Sequence, residues 1–222
     1  MLLRIGHRGA GGHAPENTLA AIERGIALHA HLVEFDVRAT SDGQLVLLHD
    51  PTLDRTTNGH GPIADQFWND VKQITDHNGQ ALPLLADALR MASGRCGVMI
   101  EIKVEGIAKQ VCRTVRDLQF REPVIYASFF HNELLAVRHE DPQSQTMALI
   151  EAVPVNRTAF ATDAQATHVG VAFETLTASF LKALHERSFQ VFVYTVNESA
   201  DIQTAKAMGV DGIISDYPER LL

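Results

Sequence analysis

A short, mostly apolar run from Leu2 to Ile5 predicts a buried strand, which stops at His7 and Arg8, a pair held between Gly6 and Gly9. Glycine on both sides lets the backbone turn sharply and approach a ligand closely. The period then changes. After Pro15-Glu16-Asn17-Thr18, which suits a helix start, Leu19, Ile22 and Ile26 recur at helical spacing. Leu32 to Val37 is a strand by its β-branched and aromatic content, and Leu45 to Leu48 is a second that runs into His49-Asp50. The link between them is too short for a crossover helix, so a hairpin is predicted, with Asp42-Gly43 as its turn. A turn centred there sets Glu34 opposite His49, unless a bulge shifts the pairing.

From Pro51 to Pro83 the pattern is irregular and too long for a plain connector, which predicts a functional excursion over the sheet across residues 50–83. Regular alternation then resumes. Strands are predicted over 98–103, 124–128, 147–150, 169–172, 191–195 and 212–215. Helices fall between them, over 85–92, 107–118, 132–139, 156–165, 176–187 and from Asn197 to Met208-Gly209. With residues 45–48 counted as a hairpin arm, about eight parallel strands remain, the count of a (β/α)8 TIM barrel at the compact end of its range. The fold class is therefore α/β: one barrel domain over 1–222 with a small insertion after the second or third β-segment. The competing open doubly wound sheet is disfavoured, because no glycine-rich nucleotide loop is present.

Composition narrows the class of function. The chain is 45% hydrophobic and 21% charged, ordinary for a globular protein. Its two cysteines, Cys96 and Cys112, have neither paired nor metal-ligand spacing, which fits a reducing compartment. The N-terminal apolar run is too short for a secretory signal and no stretch is long enough to span a bilayer, so a cytoplasmic location is expected. The net charge of -8, with no Lys/Arg block, argues against a nucleic-acid partner. A small-molecule partner remains, and a homodimer is left open. An anionic substrate would need a local cation: Arg8, Lys103 or a metal ion.

Barrel active sites lie at the carboxyl ends of the strands. Glu34 and Asp36, two apart on one strand, face the same way, and Glu101 and Lys103 repeat that spacing on the next parallel strand. Three carboxylates aimed into one mouth repel each other and resist burial, so something cationic must neutralise them. An oxygen-only ligand set suits Mg²⁺ or Ca²⁺ better than zinc, whose two-His spacings are missing from these strands. Lys103 is the alternative neutraliser, in a purely structural ion network. His7 and His49 stand at strand ends, and a pair of imidazoles is what acid–base cleavage of a phosphodiester requires. His13 and His60 lie near the expected mouth.

Taken in order, these motifs resemble the glycerophosphodiester phosphodiesterase family. The likeness rests on His7-Arg8-Gly9, Pro15-Glu16-Asn17-Thr18, Glu34-Phe35-Asp36-Val37, Asp42-Gly43, His49-Asp50, Arg55-Thr56-Thr57-Asn58-Gly59, Glu101-Ile102-Lys103, Ser128-Phe129, Thr195-Val196-Asn197 and Gly212-Ile213-Ile214-Ser215-Asp216. The resemblance implies metal-dependent hydrolysis of diesters such as glycerophosphocholine and glycerophosphoethanolamine to sn-glycerol 3-phosphate and an alcohol. It implies His7 and His49 as the acid–base pair, Glu34, Asp36 and Glu101 as metal ligands, and Arg8 and Lys103 as phosphate contacts. The insertion after His49 is expected to cover the glycerol side of the pocket. Tyr194 replaces the Trp that often precedes the Thr-Val-Asn motif, another flat ring able to pack on glycerol. Two alternatives stay open: a related phosphodiesterase acting on lysophospholipids, and a non-catalytic binding barrel.

Overall fold

The structure, a computed structural model, describes residues 2–222. Its frame is a closed ring of eight parallel strands: β1 (Leu3–Gly6), β2 (Leu32–Ala39), β4 (Gly97–Ile102), β5 (Val124–Ser128), β6 (Gln145–Ile150), β7 (His168–Ala172), β8 (Gln190–Tyr194) and β9 (Gly212–Ser215). β1 pairs with β9 on one side and β2 on the other, which closes the TIM barrel. The helices that pack outside it are α1 (Leu19–Ala27), α3 (Leu85–Ala92), α4 (Ala108–Asp117), α5 (His131–Glu140), α6 (Ala159–Asp163), α7 (Ala178–His185) and α8 (Ser199–Met208). Ile5, Met99, Ile125, Met147, Phe192 and Ile214 form the packed interior. The opposite faces of the same strands, among them Val33, Phe35, Val98 and Ile100, pack with Ile22, Leu85 and Leu89 from the helices. The period-2 strands are thus apolar on both faces, as a barrel covered by helices demands. Among the described residues no helix is long and apolar enough to cross a membrane.

The hairpin forms, with β3 (Leu45–Leu47) antiparallel to β2, but its register differs from the expected one. Val37 pairs with Leu47 and Ala39 with Leu45, so Glu34 is not opposite His49. The reason is the turn. Gly43 N donates to Thr40 O at 2.9 Å, Thr40 N donates to Gln44 O at 3.0 Å, and Gly43 sits at φ 81, a three-residue loop ending in a left-handed glycine. One edge of β2 is consequently shared: Leu32 and Val33 pair with β1, while Val37 to Ala39 pair with β3. Between them Glu34 O accepts from Gly9 N at 2.8 Å and Asp36 O from Leu48 N at 3.1 Å. The loop after β1 and the end of β3 therefore meet two residues apart on one strand edge, and each carries a histidine to the mouth.

Gly9 is required in this arrangement. Its φ is 88, and a Cβ there would collide with the backbone of α1 at Ala21 and Ile22. Thr18 starts that helix, its hydroxyl accepting from Ala21 N at 3.1 Å. Residues 48–84, between β3 and α3, contain a 3₁₀ turn and the short helix α2 (Trp68–Val71). Their Leu48, Leu53, Ile63, Val71 and Leu82 form a small core with Val46 of the strand before them.

Glu133 is buried at the start of α5 and accepts from the backbone N–H groups of Gly106, Ile107 and Ala108 at 2.7, 3.1 and 2.9 Å. Since α4 has no side-chain cap of its own, Glu133 fills that role from the neighbouring helix. Glu133→Ala is expected to cost about 3 kcal/mol, read as a lower urea midpoint at unchanged slope. Burial also pushes the thiols of Cys96 and Cys112 from the ordinary 9.0 up to about 11. Below pH 9 this has no effect on folding, and stability falls as pH rises from 9 towards 11, because the unfolded thiols ionise first. A thiol reagent at pH 8 is expected to leave the native chain nearly unlabelled and to label both cysteines once it is denatured.

Candidate active site

Glu34 and Asp36 lie in phase with the interior face of β2, and Asp36 pairs in register with Glu101 on β4. The three carboxylates converge, each offering an oxygen within 4.8 Å of the others. Their partners are fixed. Arg8 N donates to Glu34 Oε2 at 2.6 Å, and Lys103 Nζ lies 2.6 Å from Glu101 and 3.5 Å from Asp36. Asn17 grips Asp36 twice, its amide donating to Oδ2 at 2.7 Å while its carbonyl oxygen accepts from Asp36 N at 3.0 Å. Burial opposes ionisation of Asp36, but Lys103 and Arg8 outweigh it and hold its pKa low. Burial and the Asp36 charge push Glu34 up to about 8 and also raise Glu101.

Lys103 reaches Glu101 and Asp36 and makes no hydrogen bond to Glu34. Glu34 Oε1 is buried with no hydrogen-bond partner, although a buried oxygen almost always has one. An oxygen-only trio with one orphaned oxygen fits a hard divalent cation.

The two histidines are built alike. His7 Nδ1 lies 2.7 Å from Asp216 Oδ1, and His49 Nδ1 lies 2.7 Å from Asp50 Oδ1. Both aspartates are held ionised, below their ordinary pKa. For Asp216 burial resists, and the His7 hydrogen bond and charge prevail; for Asp50 the Arg55 hydrogen bond dominates. An ionised carboxylate only accepts, so each Nδ1 carries a proton and Nε2 is left as the working nitrogen. Burial depresses the His7 pKa, but Asp216 and Glu34 outweigh it and the net shift is upward. Burial dominates at His49, whose pKa is lowered despite Asp36 and Asp50. Asp216 is itself oriented: Asn197 Nδ2 donates to its Oδ2 at 2.6 Å and Asn197 Oδ1 accepts from its N–H at 2.9 Å.

Arg8 Nη1 donates to Glu16 at 2.7 Å and its Nε is 3.5 Å from Asp36. The mouth opens as three adjoining clefts. A narrow inner one is lined by His7, Glu34, Glu101, Phe129 and Tyr194. The next, about 280 Å³, is lined by His7, Arg8, Glu16 and Asp216. A third, also about 280 Å³, lies under the excursion and reaches His49 and Arg55. The Tyr194 hydroxyl donates to Ile150 O at 3.0 Å and its ring meets Phe129 edge-on. Of the site residues expected from the sequence, His7, Arg8, Glu34, His49, Glu101 and Tyr194 line these clefts, while Asp36 and Lys103 contact Arg8 and Glu101 beside them. His13 and His60 pair with Glu219 and Asp54 and line none of the three clefts.

The sequence points to no active-site role for Asn17, Asp50, Asp216, Asn197 or Arg38; Asn197, expected to cap α8, instead spends its side chain on Asp216 and Ser215, and Glu198 holds the cap position. Asn17 and Thr18 are both suitable helix caps by residue type, and Thr18 takes that position, which leaves the Asn17 side chain to Asp36. Arg38 continues the 34, 36, 38 spacing of β2, and its Nε donates to His49 O at 2.9 Å. That period was the available signal.

The model of the glycerophosphoryl diester phosphodiesterase family matches residues 7–220. The chain is 30% identical over 233 residues to the glycerophosphodiester phosphodiesterase of Caldanaerobacter subterraneus subsp. tengcongensis, covering 99% of this chain and 96% of that one. To the enzyme of the same name from Bacillus altitudinis it is 29% identical over 239 residues, covering 96% and 94%. Among solved structures, the Agrobacterium tumefaciens glycerophosphodiester phosphodiesterase superposes with a TM-score of 0.86 at 27% identity, covering 100% and 99%. The fold is shared, too, with an Oleispira antarctica phosphodiesterase in complex with the product sn-glycerol-3-phosphate (TM-score 0.90, 24% identity, covering 99% and 94%). With a match that begins at the first catalytic candidate and runs almost to the last residue, this chain belongs to the glycerophosphoryl diester phosphodiesterase family.

Proposed function

We propose that this protein hydrolyses glycerophosphodiesters such as glycerophosphocholine and glycerophosphoethanolamine to sn-glycerol 3-phosphate and the free alcohol. One observation carries the reading: two imidazoles, each anchored through Nδ1 by an ionised aspartate, share the mouth that holds the acidic trio. Arg8 and Lys103 bring fixed positive charge to the phosphate. One histidine takes a proton at Nε2 from the nucleophile, and the other gives one at Nε2 to the departing alkoxide. The nucleophile is water or the glycerol's own neighbouring hydroxyl; a cyclic phosphate released early in the reaction would identify the second. Glu34, Asp36 and Glu101 would hold Mg²⁺ or Ca²⁺. When bound, such an ion supplies positive charge to the phosphoryl oxygens. Phe129 and Tyr194 give the inner cleft flat apolar walls suited to the carbon face of glycerol.

The deciding assay gives purified protein and divalent cation either glycerophosphocholine or lysophosphatidylcholine, and measures choline and glycerol 3-phosphate. Faster turnover of glycerophosphocholine is expected. Preference for the lysophospholipid would move the substrate class, and no hydrolysis of any diester would return the chain to a binding role.

A further inference from the structure

Arg55 lies in the excursion after β3 and does not touch the acidic trio, yet it joins the two functional side chains that this edge of the barrel supplies. Its Nε and Nη2 donate to Asp50 at 2.6 and 2.9 Å, and Asp50 anchors His49. Its Nη1 and Nη2 donate to Glu16 at 2.9 and 2.8 Å, and Glu16 anchors Arg8. All three guanidinium nitrogens are therefore spent on carboxylates, although the side chain is 48% exposed. Its backbone is pinned as well, its carbonyl accepting from His77 Nε2 at 3.0 Å.

We propose that Arg55 is a positioning residue, setting His49 through Asp50 and Arg8 through Glu16, so that docking of the excursion aligns the proton carrier and the phosphate contact together. The inference rests on the proposed function. The planar fork is essential to it, because only a guanidinium meets two carboxylates with two bonds each, whereas lysine offers a single point of charge. The bridge also spans sequence: Glu16 lies 39 residues before Arg55 and on the opposite side of β2 in chain order. No local contact could therefore couple Arg8 to His49. Each carboxylate serves a different task, which makes the two effects separable. Asp50 acts on proton transfer, and Glu16 acts on the grip on phosphate.

The test is steady-state kinetics of the full chain with glycerophosphocholine and saturating divalent cation, run beside thermal melting of each variant. Asp50→Asn is expected to lower kcat by roughly 10²-fold with KM nearly unchanged, since a misaligned proton carrier costs about that much. Glu16→Gln is expected to raise KM about tenfold and to spare kcat more. Arg55→Ala should do both, Arg55→Lys should fail to restore either, and added guanidinium ion should partly rescue Arg55→Ala but leave His49→Ala dead. Folded Arg55→Ala with kcat and KM within about twofold of the parent would overturn the proposal. Should Arg55→Ala not fold, Asp50→Asn and Glu16→Gln decide: equal effects of the two on kcat and KM contradict the division of labour. A parent chain that hydrolyses no diester defeats the proposed function instead, so the two failures are distinguishable.

Discussion

His7→Ala and His49→Ala are each expected to lose roughly 10²–10⁴-fold in turnover, the contribution of one positioned proton carrier. The loss should fall on kcat, with smaller changes in KM, because each imidazole is held by an aspartate on the side away from its working nitrogen. Neither change threatens the fold. His7 packs in a loop whose backbone is tied by Gly9 N to Glu34 O, and His49 is partly exposed with its carbonyl held by Arg38. The double variant should lose far less than the product of the two single losses, since one half of an acid–base pair has little to act on without the other. Near-normal turnover from either single variant would remove that histidine from the chemistry.

Chelation is expected to abolish turnover, with Mg²⁺ or Ca²⁺ restoring it, and the acidic trio makes a sharper prediction that does not depend on activity. In the metal-free chain Glu34, Asp36 and Glu101 repel one another in a buried setting, and Lys103 relieves only part of this. Glu34→Gln puts a neutral amide where burial and Asp36 already keep the metal-free carboxyl mostly protonated below pH 8, and should leave the metal-free protein as stable as the parent or more so. Added cation should stabilise the parent by about 2.7 kcal/mol at a concentration one hundred times its Kd, seen as a rise in melting temperature. That rise should vanish in Glu34→Gln and in Asp36→Asn. Lys103→Met should keep it, because the lysine competes with the ion for the same oxygens. A parent protein whose melting ignores divalent cations at millimolar concentration would leave Lys103 as the sole neutraliser.

Much of the site was legible one residue at a time. The spacing of Glu34 with Asp36, and of Glu101 with Lys103, places side chains on one face of a strand whatever the rest of the chain does, because the strand period is two. The alternation of short β-rich runs with helical patterns dictates the barrel for a similar reason: parallel strands need covered crossovers, and eight of them close a ring. His7 and His49 could be singled out because each follows a mostly apolar run, Leu2 to Ile5 before Gly6-His7 and Leu45 to Leu48 before His49-Asp50.

Partnership was not legible. Nothing near His7 in the chain names Asp216, 209 residues away, as the acid that holds its Nδ1. That contact exists because β1 pairs with β9 when the barrel closes. Nor does the hairpin sequence reveal that the turn takes three residues, which slides β3 by one position and leaves the edge of β2 to be shared between Gly9 and Leu48. The chain by itself determined which residue types stand at strand ends and which way they face, since those follow from local backbone period. Only the tertiary structure decided which acid anchors which histidine, where the orphaned oxygen of Glu34 lies, and that Arg55 ties two loops together. Hydrogen-bond partners are chosen by distance in space, and distance in space is set by ring closure.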